Sequence, residues 1–414
     1  MKYGLIGCPL RHSYSPRVHA LLRCPGYELR EIRADELPSF LRERDFHFLN
    51  VTIPYKQAVL PFLDEVSPAA REIGAVNTIV NRGGRLTGYN TDFSGMTALL
   101  RKSSMNPAGK SVLILGTGGT ARTAMAVCRA MGAASVRWVS RSGKDGALTY
   151  EEALKCHDTR FIINATPCGM YPSQDGCPID VNAFPALEGM VDAIYNPLRT
   201  RLVQHAMDRG IPACGGLYML LAQAAEAETL FLGGEPVSPE PAYRALLTQT
   251  CNIVLIGMPG SGKSTVGPLI AGALGREFVD TDEEIVRRTG LDIPSYFRTR
   301  GESAFRDVES DVVREVSSRT GLVIATGGGA VLRPENVLSL RQNGRLYHLD
   351  RPLPQLLPTE GRPLAGTAES IARLYEARKP VYSAARDVAV AMNGNPESIA
   401  KSILEEFTKC EFFY

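Results

Sequence analysis

Two glycine-rich turns have the residue types and spacing of phosphate-binding loops. GMPGSGKS, residues 257–264, matches G-x-x-x-x-G-K-[ST], in which backbone N–H groups surround phosphates, Lys263 balances their charge and Ser264 ligates Mg²⁺. LGTGGTA, residues 115–121, would let backbone N–H groups approach a pyrophosphate, although a lone turn of this kind also joins ordinary strands and helices. The predicted phosphate-binding residues are Gly116, Thr117, Gly118, Gly119, Thr120 and Ala121 in one turn, and Gly260, Ser261, Gly262, Lys263, Ser264 and Thr265 in the other.

The strand after the dinucleotide turn bears on which cofactor would bind. SVRWVSRSG ends in Ser140, Arg141 and Ser142, where an NAD site would carry Asp or Glu for the ribose hydroxyls. An arginine flanked by hydroxyls suits a 2′-phosphate instead. The sequence therefore favours NADP over NAD.

Two charged residues are candidates for proton transfer beside that cofactor. Lys56 is predicted to lie in the first turn of a helix, where the helix dipole disfavours an ammonium group; a solvated surface lysine is the alternative. Asp92 begins a predicted helix after a hairpin whose edge carries Asn77, and it can also be interpreted as an N-cap. The spacing does not show whether Lys56 and Asp92 meet.

Acidic and basic residues also follow the second loop. FVDTDEE ends a predicted strand with Asp280 and Asp282, of which one can organise a metal's water shell and the other can accept a proton from an attacking hydroxyl. GESAFRDVE places Arg306 and Glu309 on one helical face, where a surface ion pair is the alternative. The glycines at 327–329 follow another strand, at a point where the backbone must approach something closely.

Short apolar runs alternate with helical patterns along the chain, which predicts βαβ units and parallel sheets. The pattern restarts near residue 101 and again at residue 252, so three lobes are expected. We place their boundaries at 1–100, with 218–249 packing back onto this lobe, at 101–217 and at 250–414. A helix ending near Gln249 is expected to run almost directly into the next strand.

The composition excludes several classes of protein. The formal charge of +2 over 414 residues gives no reason to expect nucleic acid as a partner. No apolar stretch approaches the roughly 20 residues that span a bilayer, so no membrane is expected and the protein is predicted to be cytoplasmic. Nine scattered cysteines are typical of reduced thiols.

The first 249 residues resemble shikimate dehydrogenase through GCPLRHSYSPRVH, NVTIPYK, GAVNTIV, GYNTDFSG, LGTGGTAR, INATPCGMYP and GGLYMLLAQAAEA, which occur in the family's order. The resemblance implies that Lys56 and Asp92 are the catalytic pair, with Lys56 polarising or protonating a ketone oxygen as hydride arrives from NADPH. It implies further that the substrate is held at its carboxylate by Ser13 and Ser15, and at or near its hydroxyls by Thr52, Asn77 and Gln223. Tyr195 and Tyr218 are expected in the same cleft, with core positions as the alternative.

Residues 251–414 resemble shikimate kinase through GMPGSGKST, FVDTD, GESAFRDVE, TGGGAV, GRPL and YEARKPVY. The resemblance implies that shikimate is bound by Asp282, Arg306, Gly328 and Arg362, with Asp282 the base for its 3-hydroxyl. Asp280 would help Ser264 to hold Mg²⁺. Arg378 would lie near the ATP or would only brace the fold.

The expected fold class is α/β: a two-lobed dehydrogenase, with a substrate-binding α/β lobe and a Rossmann NADP lobe, followed by a P-loop kinase domain of α/β/α type with a parallel sheet. The resemblances imply that 3-dehydroshikimate is reduced to shikimate, which the second part phosphorylates with MgATP. One alternative is a quinate-type NAD dehydrogenase fused to a kinase for another small polyol acid. Another is that one lobe is a metabolite sensor without turnover, although a sensor would not need Lys56 with Asp92 and Lys263 with Asp280. The oligomeric state is left open.

Overall fold

The computed structural model describes residues 2–10, 14–22, 26–356 and 367–409, which form two compact units. Unit 1 contains the described residues up to Asn196 together with Thr200–Leu246; unit 2 contains Pro197–Arg199 and the described residues from Leu247 onward. The α/β fold class is confirmed. Within the described ranges no helix is long and apolar enough to cross a bilayer, and the cysteines are free.

The first sheet of unit 1 is mixed and carries the hairpin that the sequence predicts. Its strands are β1 (Tyr3–Gly7), β2 (Glu28–Glu31), β3 (Phe48–Val51), β4 (Glu65–Val66), β5 (Thr78–Arg82) and β6 (Arg85–Tyr89), with helices α1 (Ser15–Leu21), α2 (Leu37–Glu43), α3 (Pro68–Ile73) and α4 (Thr91–Lys102). The strand order is β2-β1-β3-β5-β6-β4, with β1 parallel to both neighbours and β5 antiparallel to β3 and β6. The loops after β3 and before β5 are therefore neighbours.

The second sheet of unit 1 is parallel throughout, as a Rossmann-type lobe requires. Its strands are β7 (Ser111–Leu115), β8 (Ser135–Val139), β9 (Phe161–Asn164), β10 (Gly189–Asp192) and β11 (Ala213–Cys214), and the helices that follow β7 along the chain of unit 1 are α5 (Gly119–Ala130), α6 (Tyr150–Ala153), α7 (Arg201–Asp208) and α8 (Leu217–Leu232). Helix α9 (Glu240–Thr250) begins in unit 1 and ends in unit 2. The strand order is β8-β7-β9-β10-β11. The chain adds β8 on one side of β7 and the later strands on the other, so the topological switch point lies between β7 and β9, where open α/β sheets bind ligands. Helix α8 packs against α4 and α1.

Unit 2 is built on a third sheet, also parallel. Its strands are β12 (Asn252–Ile256), β13 (Phe278–Asp280), β14 (Val323–Ala325), β15 (Gly344–Asp350) and β16 (Val388–Ala391), and its helices are α10 (Lys263–Leu274), α11 (Thr281–Thr289), α12 (Ile293–Ser318), α13 (Pro334–Asn343), α14 (Ala368–Ala385) and α15 (Pro396–Phe407). The order is β13-β14-β12-β15-β16, and every residue of the central β12 is buried. At the carboxyl ends of three adjacent strands, Asp280 ends β13 and Asp282 follows it, the triple glycine follows β14, and the phosphate loop follows β12.

Local predictions around the candidate residues had mixed outcomes. The helix predicted to contain Lys56 is wrong: this segment forms successive turns and a short 3₁₀ helix at Leu60–Phe62, because i→i−3 bonds take over and Pro61 has no N–H to donate. The N-cap interpretation of Asp92 is also wrong, since Asn90 caps α4 through its side chain. The tight junction is confirmed, because only one residue separates α9 from β12.

Candidate active sites

A cavity of about 310 Å³ in unit 1 brings together most of the residues predicted for the first reaction. Ser13 lies outside the described residues. Tyr218 does not line the cavity and instead packs edge-on against Tyr243, with 5.1 Å between ring centroids, so that part of the prediction is wrong. The predicted residues that do line it are Ser15, Thr52, Lys56, Asn77, Asp92, Thr120, Tyr195 and Gln223.

Lys56 and Asp92 form a close charged pair in this cavity. The Lys56 Nζ lies 2.5 Å from the Asp92 Oδ2, and the side chains are 24% and 15% exposed. This arrangement differs from the freely solvated lysine that was the alternative. Because the ammonium has two further N–H groups, it can hold Asp92 and still donate to an oxygen atom in the cavity.

Asn77 is locked in one orientation beside the pair. Its Oδ1 accepts from the Thr91 N–H at 2.7 Å and from the Thr78 hydroxyl at 3.1 Å, while its Nδ2 donates to the Thr91 hydroxyl at 3.1 Å. The acceptor is therefore satisfied within the protein, and the remaining amide N–H is what Asn77 can offer to a ligand. Gln223 joins the same network, since the Thr91 hydroxyl lies 3.3 Å from its Oε1.

Tyr195 contributes a hydroxyl that stays protonated. Its ring meets Tyr14 edge-on, with 5.4 Å between centroids, and burial raises the pKa of Tyr195 above its ordinary value of 10.0. The phenol can therefore donate a hydrogen bond at neutral pH.

The dinucleotide turn fits a pyrophosphate. Gly116 directly follows β7 with φ of 107°, and a Cβ there would lie 3.1 Å from the Ala165 carbonyl oxygen, so the position favours glycine. A Cβ on Gly118 or Gly119 would meet no atom within 4 Å, which leaves the surface above the turn open. The first N–H groups of the 12-residue α5 are available there, and Ala121 is buried beneath them.

The residues predicted to choose between NAD and NADP follow the adjacent strand β8. Ser140 accepts a hydrogen bond from the Gly143 N–H at 3.1 Å and so shapes the turn, whereas Arg141 and Ser142 are exposed. Burial raises the pKa of Tyr150, and the charge of Arg141 opposes that rise. An exposed cation at this strand end fits a phosphate group on a ribose.

In unit 2 the phosphate loop is organised around a buried lysine. Lys263 begins α10, is 6% exposed, and donates from Nζ to the carbonyl oxygens of Gly257 at 2.8 Å and Met258 at 2.9 Å. The ammonium group is thus held inside the loop where phosphates would enter. The remaining predicted phosphate-binding residues share this loop and the first turn of α10: Gly260, Ser261, Gly262, Ser264 and Thr265.

A hydroxyl and a carboxylate meet beside this loop in the manner that Mg²⁺ requires. The Ser264 hydroxyl donates to the Asp280 Oδ2 at 2.8 Å, and the Asp280 Oδ1 accepts from the Asp282 N–H at 2.9 Å. Protein sites for Mg²⁺ commonly supply one or two oxygen ligands and leave the rest to water and phosphates. No cluster of three His, Cys, Asp or Glu residues suited to a metal occurs in the described part of the chain.

The triple glycine lets the carboxylate of Asp282 and the guanidinium of Arg306 approach the same turn. A Cβ on Gly327 would lie 2.5 Å from the Asp282 Oδ1, and one on Gly329 would lie 2.2 Å from the Arg306 Nη1. Because neither space can hold a side chain, the turn must be glycine for Asp282 and Arg306 to converge on it. This convergence creates a place for a ligand that carries both a hydroxyl and an anionic group.

The i, i+3 ion pair named as the alternative for Arg306 is present, but its expected place at the surface is wrong. Its Nη1 lies 2.7 Å from the Glu309 Oε2, and the two side chains are only 11% and 1% exposed. Burial raises the pKa of Glu309, Arg306 opposes that rise and the nearby Asp282 adds to it. The Oε1 of Glu309 is buried and has no hydrogen-bond partner among the described residues. Glu309 therefore anchors the guanidinium from inside the core.

Arg378 is attached to the same turn. It is 5% exposed and donates from Nη1 to the Gly328 carbonyl oxygen at 3.0 Å, and the Tyr382 hydroxyl donates to that oxygen at 2.5 Å. These contacts support the bracing alternative. Arg362 lies outside the described residues.

Comparison with known proteins identifies both parts of the chain. The family model described as shikimate dehydrogenase substrate binding domain matches residues 5–79, and that described as shikimate kinase matches residues 259–408. A shikimate dehydrogenase (NADP(+)) of Syntrophomonas wolfei is 35% identical over 261 residues, which cover 56% of this chain and 90% of that protein. The chain belongs to the shikimate dehydrogenase family and carries a shikimate kinase domain.

Solved structures agree with the dehydrogenase assignment. A chorismate mutase/shikimate 5-dehydrogenase fusion protein from Clostridium acetobutylicum is 34% identical, with a TM-score of 0.56 over 59% of this chain and 96% of that one. The shikimate 5-dehydrogenase of Thermus thermophilus, solved in complex with NADP(H) and shikimate, is 33% identical, with a TM-score of 0.53 and coverage of 59% and 98%. Both likenesses extend over nearly the whole of the related chain.

Sequence reasoning missed part of the dehydrogenase cavity. His19, Tyr27 and Asn50 also line it, and Glu228 is buried behind His19. His19 follows Ser15 by four residues on α1, and this spacing, which puts both on one helix face, was the available signal. Glu228 lies in an alanine-rich stretch of α8 and offered no comparable signal.

Proposed function

We propose that the chain is a bifunctional enzyme that reduces 3-dehydroshikimate to shikimate with NADPH and then phosphorylates the 3-hydroxyl of shikimate with MgATP. One observation carries the first half: the cavity that holds the Lys56–Asp92 pair is also lined by Thr120 of the dinucleotide turn. A hydride donor and a proton donor can therefore meet there. The dehydrogenase would comprise residues 1–249, with the NADP lobe at 101–217, and the kinase residues 250–414.

In the dehydrogenase, the bound nicotinamide supplies hydride to the ketone carbon. Lys56 donates a hydrogen bond or proton to the ketone oxygen, and Asp92 holds the Nζ and balances its charge. Asn77 donates to a ring oxygen with its remaining N–H. Ser15, together with Ser13, would hold the carboxylate, while Thr52 and Gln223 serve the hydroxyls.

NADP is the cofactor that the site favours. The end of β8 is followed by Arg141 between two serines, with no acidic residue at 140–142. A guanidinium pairs with a 2′-phosphate, whereas the two hydroxyls of an NAD ribose require an acceptor. The quinate-type NAD alternative is disfavoured on this ground.

In the kinase, bound MgATP supplies the phosphoryl group. Lys263 neutralises phosphate charge, and Ser264 and Asp280 hold the metal. Asp282 accepts the proton of the 3-hydroxyl, and Arg306 pairs with the carboxylate. Gly328 and Arg362 would complete the shikimate site, and Arg378 holds the turn that carries Gly328.

A coupled assay tests both halves on the intact chain. Purified protein is given 3-dehydroshikimate, NADPH and MgATP, and the oxidation of NADPH and formation of ADP are followed separately. Lys56→Ala should lower the dehydrogenase kcat by roughly 100-fold or more, the usual range for a lost general acid, and leave the kinase unchanged. Lys263→Ala should abolish the kinase activity and leave the dehydrogenase unchanged.

The matched control is Lys401→Ala, which removes a lysine whose side chain is 78% exposed. The dehydrogenase and kinase activities of this variant should equal those of the wild-type protein. NADPH oxidation near the parental rate in Lys56→Ala would show that the lysine is dispensable. Wild-type protein that bound both substrates without turnover would favour the sensor alternative.

A further inference from the structure

The dehydrogenase cavity is lined by a histidine to which the proposed reaction gives no part. His19 on α1 has a side chain only 2% exposed, and its Nδ1 lies 2.5 Å from the Oε1 of Glu228 on α8, which is 1% exposed. The ring stacks on Tyr27 with 3.8 Å between centroids and 8° between planes. The imidazole is therefore fixed both in its plane and against its face.

The pairing determines which ring nitrogen can serve a ligand. The hydrogen bond with the Glu228 Oε1 occupies Nδ1. Nε2 has no partner among the described residues, and the ring lines the cavity, so Nε2 is the polar atom left for an occupant. Glu228 makes no other ion pair in the described part of the chain. Because a net charge is costly to bury, a pair that is neutral overall is favoured, and with one hydrogen between Oε1 and Nδ1 this leaves a hydrogen on Nε2.

The position of His19 indicates which end of the substrate it would meet. Ser15 and His19 are four residues apart on α1, which puts them on the same helix face, and both line the cavity. Ser15 is the residue proposed to bind the substrate carboxylate. The Nε2–H group would therefore lie at the anionic end of the substrate.

We propose that His19, held by Glu228, donates a hydrogen bond from Nε2 to the carboxylate of the substrate and makes the cavity selective for acids over uncharged analogues. The proposal rests on the proposed function, since it requires 3-dehydroshikimate to occupy this cavity. It assigns Glu228 as a positioning residue that acts only through His19.

Two substitutions of His19 separate this role from packing. His19→Asn puts its amide near the position of Nδ1, where it can still bond to Glu228, but leaves nothing near Nε2. His19→Gln reaches the position of Nε2. Since a hydrogen bond to a charged group contributes about 10- to 100-fold in affinity, His19→Asn should raise the KM for 3-dehydroshikimate by that factor, with kcat and the KM for NADPH within about twofold of the parent. His19→Gln should recover most of the loss.

Selectivity is measured as the ratio of kcat/KM for 3-dehydroshikimate to that for its methyl ester. His19→Asn should lower this ratio about tenfold or more, and Glu228→Gln, which keeps its shape but loses its charge, should lower it by a smaller factor. Folding is checked through the fluorescence of Trp138, the single tryptophan of the chain.

An unchanged acid-to-ester ratio in His19→Asn would overturn the proposal. If that variant failed to fold, Glu228→Gln would decide, and an unchanged ratio there would overturn it equally. Absence of any reduction of 3-dehydroshikimate by the wild-type protein would instead refute the proposed function. These two failures are therefore distinguishable.

Discussion

Asp192, the last residue of β10, is a buried carboxylate that should make the stability of unit 1 depend on pH. It is fully buried, and it accepts hydrogen bonds from the Ile194 N–H at 3.0 Å, the Asn164 Nδ2 at 3.0 Å and the Thr200 hydroxyl at 2.7 Å. No cation pairs with it among the described residues. Burial raises its pKa from 3.8 to about 6, with the three hydrogen bonds opposing the rise.

The direction of the effect follows from where the proton is bound. Between pH 3.8 and about 6 the folded protein keeps the proton and the unfolded chain has lost it, so the free energy of unfolding falls as the pH rises. A difference of about two pKa units corresponds to about 3 kcal/mol. About 1 kcal/mol of this is already lost at pH 4.5, which leaves about 2 kcal/mol to be lost between pH 4.5 and 7.5.

Asp192→Asn removes the titration and keeps the shape, because its Oδ1 can still accept from the Ile194 N–H and its amide can donate to the Thr200 hydroxyl. Relative to this variant, the wild-type protein should lose about 2 kcal/mol of stability between pH 4.5 and 7.5. Urea unfolding at each pH is followed by the fluorescence of Trp138, which lies on β8 and so reports on unit 1. A difference in stability that stayed constant with pH would refute the reasoning.

Further predictions concern single residues of the two sites. Arg141→Asp should shift the ratio of kcat/KM from NADP towards NAD, because it removes a phosphate partner and adds a ribose acceptor; an unchanged ratio would contradict the cofactor assignment. Arg306→Ala should raise the KM for shikimate roughly 10- to 100-fold and that for ATP much less, as initial rates would show. Gly329→Ala should abolish kinase activity and spare NADPH oxidation, since its Cβ would lie 2.2 Å from the Arg306 Nη1; normal kinase rates would mean that the turn moves freely.

The phosphate-binding turns could be predicted from sequence because their geometry is local. A run of apolar residues sets the strand, and glycines over a few positions set the loop, so Gly116 follows β7 and Lys263 begins α10 as expected. The order of restarts along the chain likewise predicted separate sheets, of which the second and third are parallel as expected and the first is mixed. These features need no knowledge of which distant segments meet.

The segment around Lys56 shows where local reasoning failed. Its apolar residues recur three and four positions apart, which is compatible with a helix, yet Pro54 and Pro61 remove two backbone donors and the chain forms turns. Lys56 was singled out because of a helix that does not form, yet it does line the cavity. The structure pairs it with Asp92, 36 residues away, across loops that only the sheet order brings together.

Polar and charged residues on helices show most clearly what local sequence patterns cannot predict. A surface ion pair was the alternative for Arg306 and Glu309, because i, i+3 spacing is the same on a solvated and on a buried helix face. His19 and Glu228 are separated by 209 residues, and each alone reads as an ordinary polar position. In both pairs the glutamate is about 1% exposed, and its partner, His19 or Arg306, lies toward a proposed ligand site. Because a buried glutamate without a partner is costly, the contact that offsets the burial of each glutamate also orients its partner side chain toward the ligand site.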